Sequence, residues 1–310
     1  MGSTGTRHLG LDLGGTNLKW CVVEHADGRW SAVDRDSVPT RLGPDAAAVP
    51  AAVTAQLGEV ALAAIARTGP VGSVGIGVPG LYDPATGRTR FLVNVPGPWA
   101  GHAVAGPVSE ATGVPAFLVN DARAFGLAEL RLGAGRGASS MVGLTLGTGV
   151  GGVLAIDGRV HQGHDGTAGE LGHQTIDPDG PWCGCGNRGC VEAYCRADQV
   201  AAACGTATAE EAVRAAQDGD PRALAGLADV GRYLGIGIAN MINVISPDCV
   251  VIGGGMAAAG ELLFAPIRAE IARRVHMTAP EQVSLVAAEL GIWAGSIGAA
   301  VHGAERAGLA

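Results

Sequence analysis

Two stretches of the chain, LDLGGTNLKW (residues 11–20) and LTLGTGVGGV (residues 144–153), share one construction: an apolar run, a turn of glycine and threonine, and a second apolar run. An apolar run broken by glycines and then resumed predicts a β-hairpin. A hairpin of this kind turns backbone N–H groups and a threonine hydroxyl outward, where a phosphate can lodge. Found twice in one chain, it predicts two related lobes facing one cleft, and 310 residues are long for a single hydrophobic core. An ordinary hairpin turn is the alternative for each stretch, because glycine serves it equally well. Asp12 is harder to assign to such a turn. A carboxylate in an apolar strand needs a partner, and a bound magnesium ion is one candidate.

Between and beyond the hairpins the pattern alternates short strands with helices. Residues 46–67 are alanine-rich with helical spacing, and 71–78 form a strand stopped by Pro79-Gly80. Residues 91–101, FLVNVPGPWAG, predict a loop in which Asn94 either caps a turn or binds a polyol. A strand over 115–119 runs into Asn120-Asp121 and a helix over 122–132. Asp121 is there either a helix cap or a general base at the carboxyl end of a strand, where α/β proteins hold ligands. Strands follow at 141–146 and 153–156. Alanine-rich helices fill the region from 197 to 243, and the strand Val250–Ile252 ends in three glycines able to receive a flat ring. A small-residue helix over 295–306 closes the chain. No low-complexity linker interrupts the lobes.

The densest chemistry lies in GELGHQTIDPDGPWCGCGNRGCVE (residues 169–192), where Cys183, Cys185 and Cys190 crowd together downstream of His173. Three thiols and an imidazole make the ligand set of a closed tetrahedral zinc site, which pins a loop lacking its own core. Four protein ligands leave no position for water, so a catalytic zinc is disfavoured. An odd number of thiols in a reducing compartment disfavours a disulfide. Cys21, Cys195, Cys204 and Cys249 are expected as buried small hydrophobes. His102, His161 and His164 are expected at loop or pocket edges.

Composition excludes several classes. Net charge is −8 with a pI near 5.4, which argues against nucleic acid and anionic membrane as partners. The N-terminus has no apolar run of leader length and no stretch approaches a membrane span, so a cytoplasmic protein is expected.

Taken in order, LGLDLGGTNLKW, LTLGTGVGG, GELGH, CGCGNRGCVE and VVIGGGM resemble the ROK family of sugar kinases, within the actin-like ATPase superfamily, over nearly the whole chain. The resemblance implies a two-lobed α/β, ribonuclease H-like fold with a cleft and a zinc-braced loop. Residues 1–119 would form the small lobe, with the helix 295–310 packed back on it, and 120–294 the large one. It implies ATP, Mg2+ and structural Zn2+ as cofactors, a sugar as the small-molecule partner, and a homo-oligomer, dimer or tetramer.

By the same resemblance, Gly14, Gly15, Thr16, Asn17 and Lys19 match the family's first phosphate loop and Asp12 its magnesium-side carboxylate. Thr148 and Gly149 match the second phosphate loop, and Gly254 and Gly255 the adenosine site. Asn120 corresponds to a sugar-binding amide and Asp121 to the general base. Asn94, Glu170, His173 and Glu192 correspond to sugar-binding residues. His173, Cys183, Cys185 and Cys190 correspond to the zinc ligands, so that the metal orients the sugar pocket without entering the reaction.

The implied activity is phosphorylation of a hexose, glucose first, with N-acetylmannosamine, N-acetylglucosamine, fructose or a cyclitol as alternatives. One departure bears on this choice. The family's sugar loop runs N-x-P-G-W, and here Pro98 is inserted before Trp99. The family also contains sugar-responsive repressors, which carry a winged helix ahead of the first loop. About nine residues precede that loop here, and this with the acidic pI disfavours a regulator.

Overall fold

The computed structural model describes residues 5–310. Met1–Thr4, the first residues of the N-terminus read as lacking a leader, lie outside the described residues. Two compact units divide the chain: everything to Leu132 together with Ile292–Ala310, and Gly133–Gly291.

In the first unit, β1 (Thr6–Leu13), β2 (Asn17–Ala26) and β3 (Arg29–Pro39) form an antiparallel meander. There follow α1 (Val49–Thr68), β4 (Val74–Val78), the hairpin β5 (Gly80–Asp83) and β6 (Arg88–Leu92), α2 (Ala105–Thr112), β7 (Ala116–Asn120) and α3 (Asp121–Arg131). The sheet order is β3-β2-β1-β4-β7, with β4 parallel to both β1 and β7.

The second unit repeats the plan. Here β8 (Met141–Leu146), β9 (Val150–Ile156) and β10 (Arg159–Val160) are antiparallel. Helices α4 (Val191–Cys195), α5 (Ala197–Cys204), α6 (Ala209–Gln217) and α7 (Pro221–Ile245) lead to β11 (Cys249–Gly253), α8 (Glu261–Arg274) and β12 (Ser284–Ala287). The order is β10-β9-β8-β11-β12, with β11 parallel to β8 and β12. The duplication expected from the two glycine turns is therefore a duplication of whole sheets. The central parallel strands β4 (VGIGV) and β11 (CVVIG) are buried at every position, as strands covered on both faces must be.

The last helix, α9 (Ala294–Arg306), belongs to the first unit. Its small residues let it lie directly on the sheet and on α3. Gly75 on β4 leaves no room for a Cβ against the Ala299 carbonyl, nor does Gly298 against the Ala124 carbonyl. Further along the pair, Arg131 Nη2 donates to Glu305 Oε1 at 2.8 Å. Because α3 is packed lengthwise on α9, the division expected at 119/120 falls after Leu132 instead. Helix α1 is long and apolar enough by length and composition to cross a membrane, with a mean hydropathy of 1.5, which the sequence reading had not credited. Its Val49, Val53, Leu57, Ala61 and Ala64 are buried in the core of the first unit.

Candidate functional site

Strand pairing aligns the carboxyl ends of the parallel strands in each unit. In the first, Asp12 pairs with Gly77 across β1 and β4, and Val78 pairs with Asn120 across β4 and β7. Open α/β sheets hold ligands at this edge. The turn Gly14–Thr16 follows β1 directly. It is clipped from the end of β3, where Thr40 Oγ1 donates to the Gly14 carbonyl at 2.7 Å and Thr40 N to the Thr16 carbonyl at 2.9 Å. Thr40 escaped sequence reasoning because β3, RWSAVDRDSVP, is a charged, largely exposed edge strand without an apolar run.

The Asp12 side chain lies 3.5 Å from Lys19 Nζ, a cross-strand ion pair, since Asp12 and Lys19 are opposite one another on β1 and β2. Burial pushes the Asp12 carboxyl above the usual carboxylate range, and Lys19 opposes that shift. The carboxylate is seated by glycines. A Cβ on Gly295, in the first turn of α9, would stand 2.6 Å from Asp12 Oδ2, and one on Gly77 would stand 3.6 Å from Oδ1. A side chain at 295 would displace the acid. The small-residue run at the head of the last helix was the available signal for Gly295.

Asn120 and Asp121 divide the junction between them. Asn120 is the cap of α3: its Oδ1 accepts from Arg123 N at 3.2 Å, and its Nδ2 donates to the Gly80 carbonyl at 3.2 Å. Asp121 is therefore the first helical residue and not the cap, although its Oδ1 also accepts from Ala122 N at 2.9 Å. Its carboxylate sits in the first turn of an eleven-residue helix, where the helix dipole favours negative charge. Asn94 is exposed and left-handed at φ 63°, a conformation asparagine tolerates better than most residues. Its carbonyl packs against Gly15, which has no room there for a Cβ. Despite the inserted Pro98, Trp99 is buried and closes the loop by donating from Nε1 to the Val95 carbonyl at 2.9 Å.

In the second unit, Gly147–Gly149 join β8 to β9, with Gly147 N donating to the Gly149 carbonyl at 3.0 Å and Thr148 exposed. Gly253 pairs with Thr145, which puts Gly254 and Gly255 at the same edge. Gly254 has φ 86° and leaves no room for a Cβ against the Leu146 backbone, so glycine is required there.

His173, Cys183, Cys185 and Cys190 converge as expected, with one ligand atom from each lying within 4.8 Å of all the others. Cys185 Sγ and Cys190 Sγ are 3.8 Å apart, and Cys183 Sγ and His173 Nδ1 are 3.6 Å apart. A tetrahedral ion with sulfur at ~2.3 Å and nitrogen at ~2.0–2.1 Å requires edges of about 3.8 Å and about 3.5 Å. These two edges match those of such an ion, and the four donors lie within 4.8 Å of one another. Because His173 points Nδ1 at the cluster, its Nε2 is directed away from it. Glu170, exposed, immediately precedes the single helical turn Leu171–His173. Glu192 is the second residue of α4, two positions after Cys190. His161 and His164 lie exposed in the loop after β10, while His102 Nε2 is 3.0 Å from Thr54 Oγ1. The remaining four cysteines are buried, and burial pushes the thiols of Cys21 and Cys249 up to about 12 and about 11.

The ROK family profile matches residues 8–304, which spans both units. The chain belongs to the ROK family. It is 34% identical to the glucokinase of Thermotoga maritima, over 97% of this chain and 98% of that one. Among solved structures, the ROK hexokinase of Thermus thermophilus superposes with a TM-score of 0.82 at 35% identity, covering 97% of this chain and 99% of the other. A ROK glucokinase of Streptomyces griseus in complex with glucose and AMPPNP gives a TM-score of 0.77 at 29% identity, covering 96% and 99%. The two sheets described above are thus the paired sheets of the actin-like ATPase fold in its ROK form.

Proposed function

We propose that this ROK protein is an ATP-dependent glucokinase, transferring the terminal phosphoryl group of ATP to the 6-hydroxyl of glucose. One observation carries the reading: Asn120 takes the helix cap, so Asp121 stands as a carboxylate at the carboxyl edge of the first sheet. Phosphoryl transfer passes through a loose transition state, in which the protein mainly positions the reactants and offsets charge. In this scheme Asp121 orients the sugar hydroxyl and accepts its proton late in the transfer, as a general base. Asn94, Asn120, Glu170, His173 and Glu192 hold the sugar hydroxyls, the carboxylates by charge-assisted hydrogen bonds.

The turns at Gly14–Asn17 and Thr148–Gly149 receive the phosphates through backbone N–H groups, and Gly254 and Gly255 accept the adenosine. Asp12 and Lys19 stand on the phosphate side. Magnesium, when bound, supplies neutralising charge at the triphosphate. Zinc is the ion we assign to the His173–Cys183–Cys185–Cys190 cluster. Held through Nδ1, His173 is fixed in one tautomer, which leaves Nε2 for a sugar hydroxyl. The test is ADP release from ATP and magnesium over a panel of hexoses and amino sugars. Glucose is expected to give the highest kcat/KM. Faster turnover of N-acetylmannosamine, N-acetylglucosamine or fructose would replace it as the substrate.

A further inference from the structure

Glu192 makes a contact that a sugar-binding role does not require. Its Oε2 accepts a hydrogen bond from Val150 N at 2.9 Å, where the second glycine turn passes into β9. Gly149 leaves space for it: a Cβ at that position would be 2.5 Å from the same oxygen. The other oxygen, Oε1, lies 3.5 Å from Cys183 Sγ and 3.9 Å from His173 Nδ1, at the edge of the metal cluster. The next helix adds a second tether, because Ala197 N donates to the Gly147 carbonyl at 2.9 Å. The turn is thus bonded at both ends to the short segment that follows Cys190. That segment is itself fixed to the cluster's loop by Val191 N donating to the Gln174 carbonyl at 3.1 Å. The Glu192 carboxylate thus satisfies the Val150 N–H at the end of the turn, while Gly147 N is satisfied within the turn by the Gly149 carbonyl.

We propose that Glu192 is a positioning residue that ties the metal cluster to the second glycine turn, so that the metal-braced segment sets nucleotide affinity as well as sugar affinity. The proposal rests on the reading of residues 147–149 as a phosphate turn. It goes beyond that reading in making nucleotide binding depend on the metal.

The test is calorimetric binding of a non-hydrolysable ATP analogue with magnesium and no sugar, using the full-length, zinc-loaded protein. Glu192→Ala is expected to weaken the analogue about tenfold, the scale of one hydrogen bond to a charged group, with zinc content by mass spectrometry unchanged. Glu192→Gln keeps an oxygen for Val150 N–H and is expected to bind the analogue close to wild type. In Glu192→Asp, the shortened side chain withdraws from Val150, and the loss should match that of alanine. This variant decides the matter if Glu192→Ala does not fold. Hydrogen exchange at the Val150 amide should quicken in the aspartate and alanine variants and stay slow in the glutamine one. Stripping zinc from the wild type should weaken the analogue to the same degree, with recovery on adding zinc back. Wild-type analogue affinity in folded, zinc-loaded Glu192→Asp, or in stripped wild type, would overturn the proposal. A failure of the glucokinase reading would look different, as analogue binding intact with no turnover of glucose.

Discussion

Asp121 and Gly295 illustrate two ways in which a single residue can matter here. Asp121→Asn removes the group that accepts the proton and keeps its size. The expected outcome is a fall in kcat of about 100-fold or more, with glucose affinity in equilibrium titration near wild type. Near-normal turnover would remove Asp121 as the base. Gly295 would contribute by absence. A methyl group there collides with the Asp12 carboxylate, so Gly295→Ala should raise the magnesium concentration needed for half-maximal turnover while leaving the KM for glucose unchanged. An unaltered magnesium dependence would disconnect Asp12 from the metal. These residues also mark what a sequence can convey. The metal cluster was legible because its four ligands are chemically unusual and close in sequence. The seats of Asp12 and Glu192 were not, because they consist of missing Cβ atoms at glycines scattered among fifty-one and of a backbone N–H that almost any residue carries.

Among the elements, the central strands were legible and the edges were not. Strand β8 occupies residues 141–146 as expected, and β11 the apolar run before the glycines. Strand β3 and the hairpin β5–β6 went unread because strands exposed on one face carry charges and turn residues that periodicity alone assigns to loops. The cap of α3 fell one residue earlier than the aspartate reading allowed, because an amide can accept from the helix and donate to Gly80 at once. The close seating of α9 also makes a prediction at this scale. Gly75→Ala forces β4 and α9 apart and should cost about 1–3 kcal/mol, as overpacking usually does. Urea unfolding should record it as a lower midpoint at unchanged m-value, and an unshifted midpoint would mean that helix and strand can separate freely.

For the molecule as a whole, acid is the expected weakness, and it is concentrated in the first unit. Burial lowers His8 to about 4, with His25 adding to the effect, and lowers His302 to about 4, with Arg306 adding to it. His8 Nε2 has no hydrogen-bond partner among the described residues. Both imidazoles are neutral in the fold and take up protons at about 6.5 when unfolded. The unfolded chain therefore binds more protons between those values, and stability falls as pH drops from about 6.5 towards 4. At pH 5 the loss is about 2 kcal/mol for each histidine. His302→Gln should flatten the pH dependence of the unfolding midpoint, and an unchanged slope would exclude His302 as its source. The second unit has a different weakness, its metal cluster.

The return of α9 to the first unit also has a consequence on the ribosome. Strands β1 and β4 emerge early, yet the surface formed by Gly10 and Gly75 stays uncovered until residues 294–306 have been synthesised. By then the whole of Gly133–Gly291 has been synthesised, with its own core complete in sequence. The unit begun first is therefore the last that can close. A released chain truncated after Gly291 should protect the second unit from protease while the first remains open to cleavage.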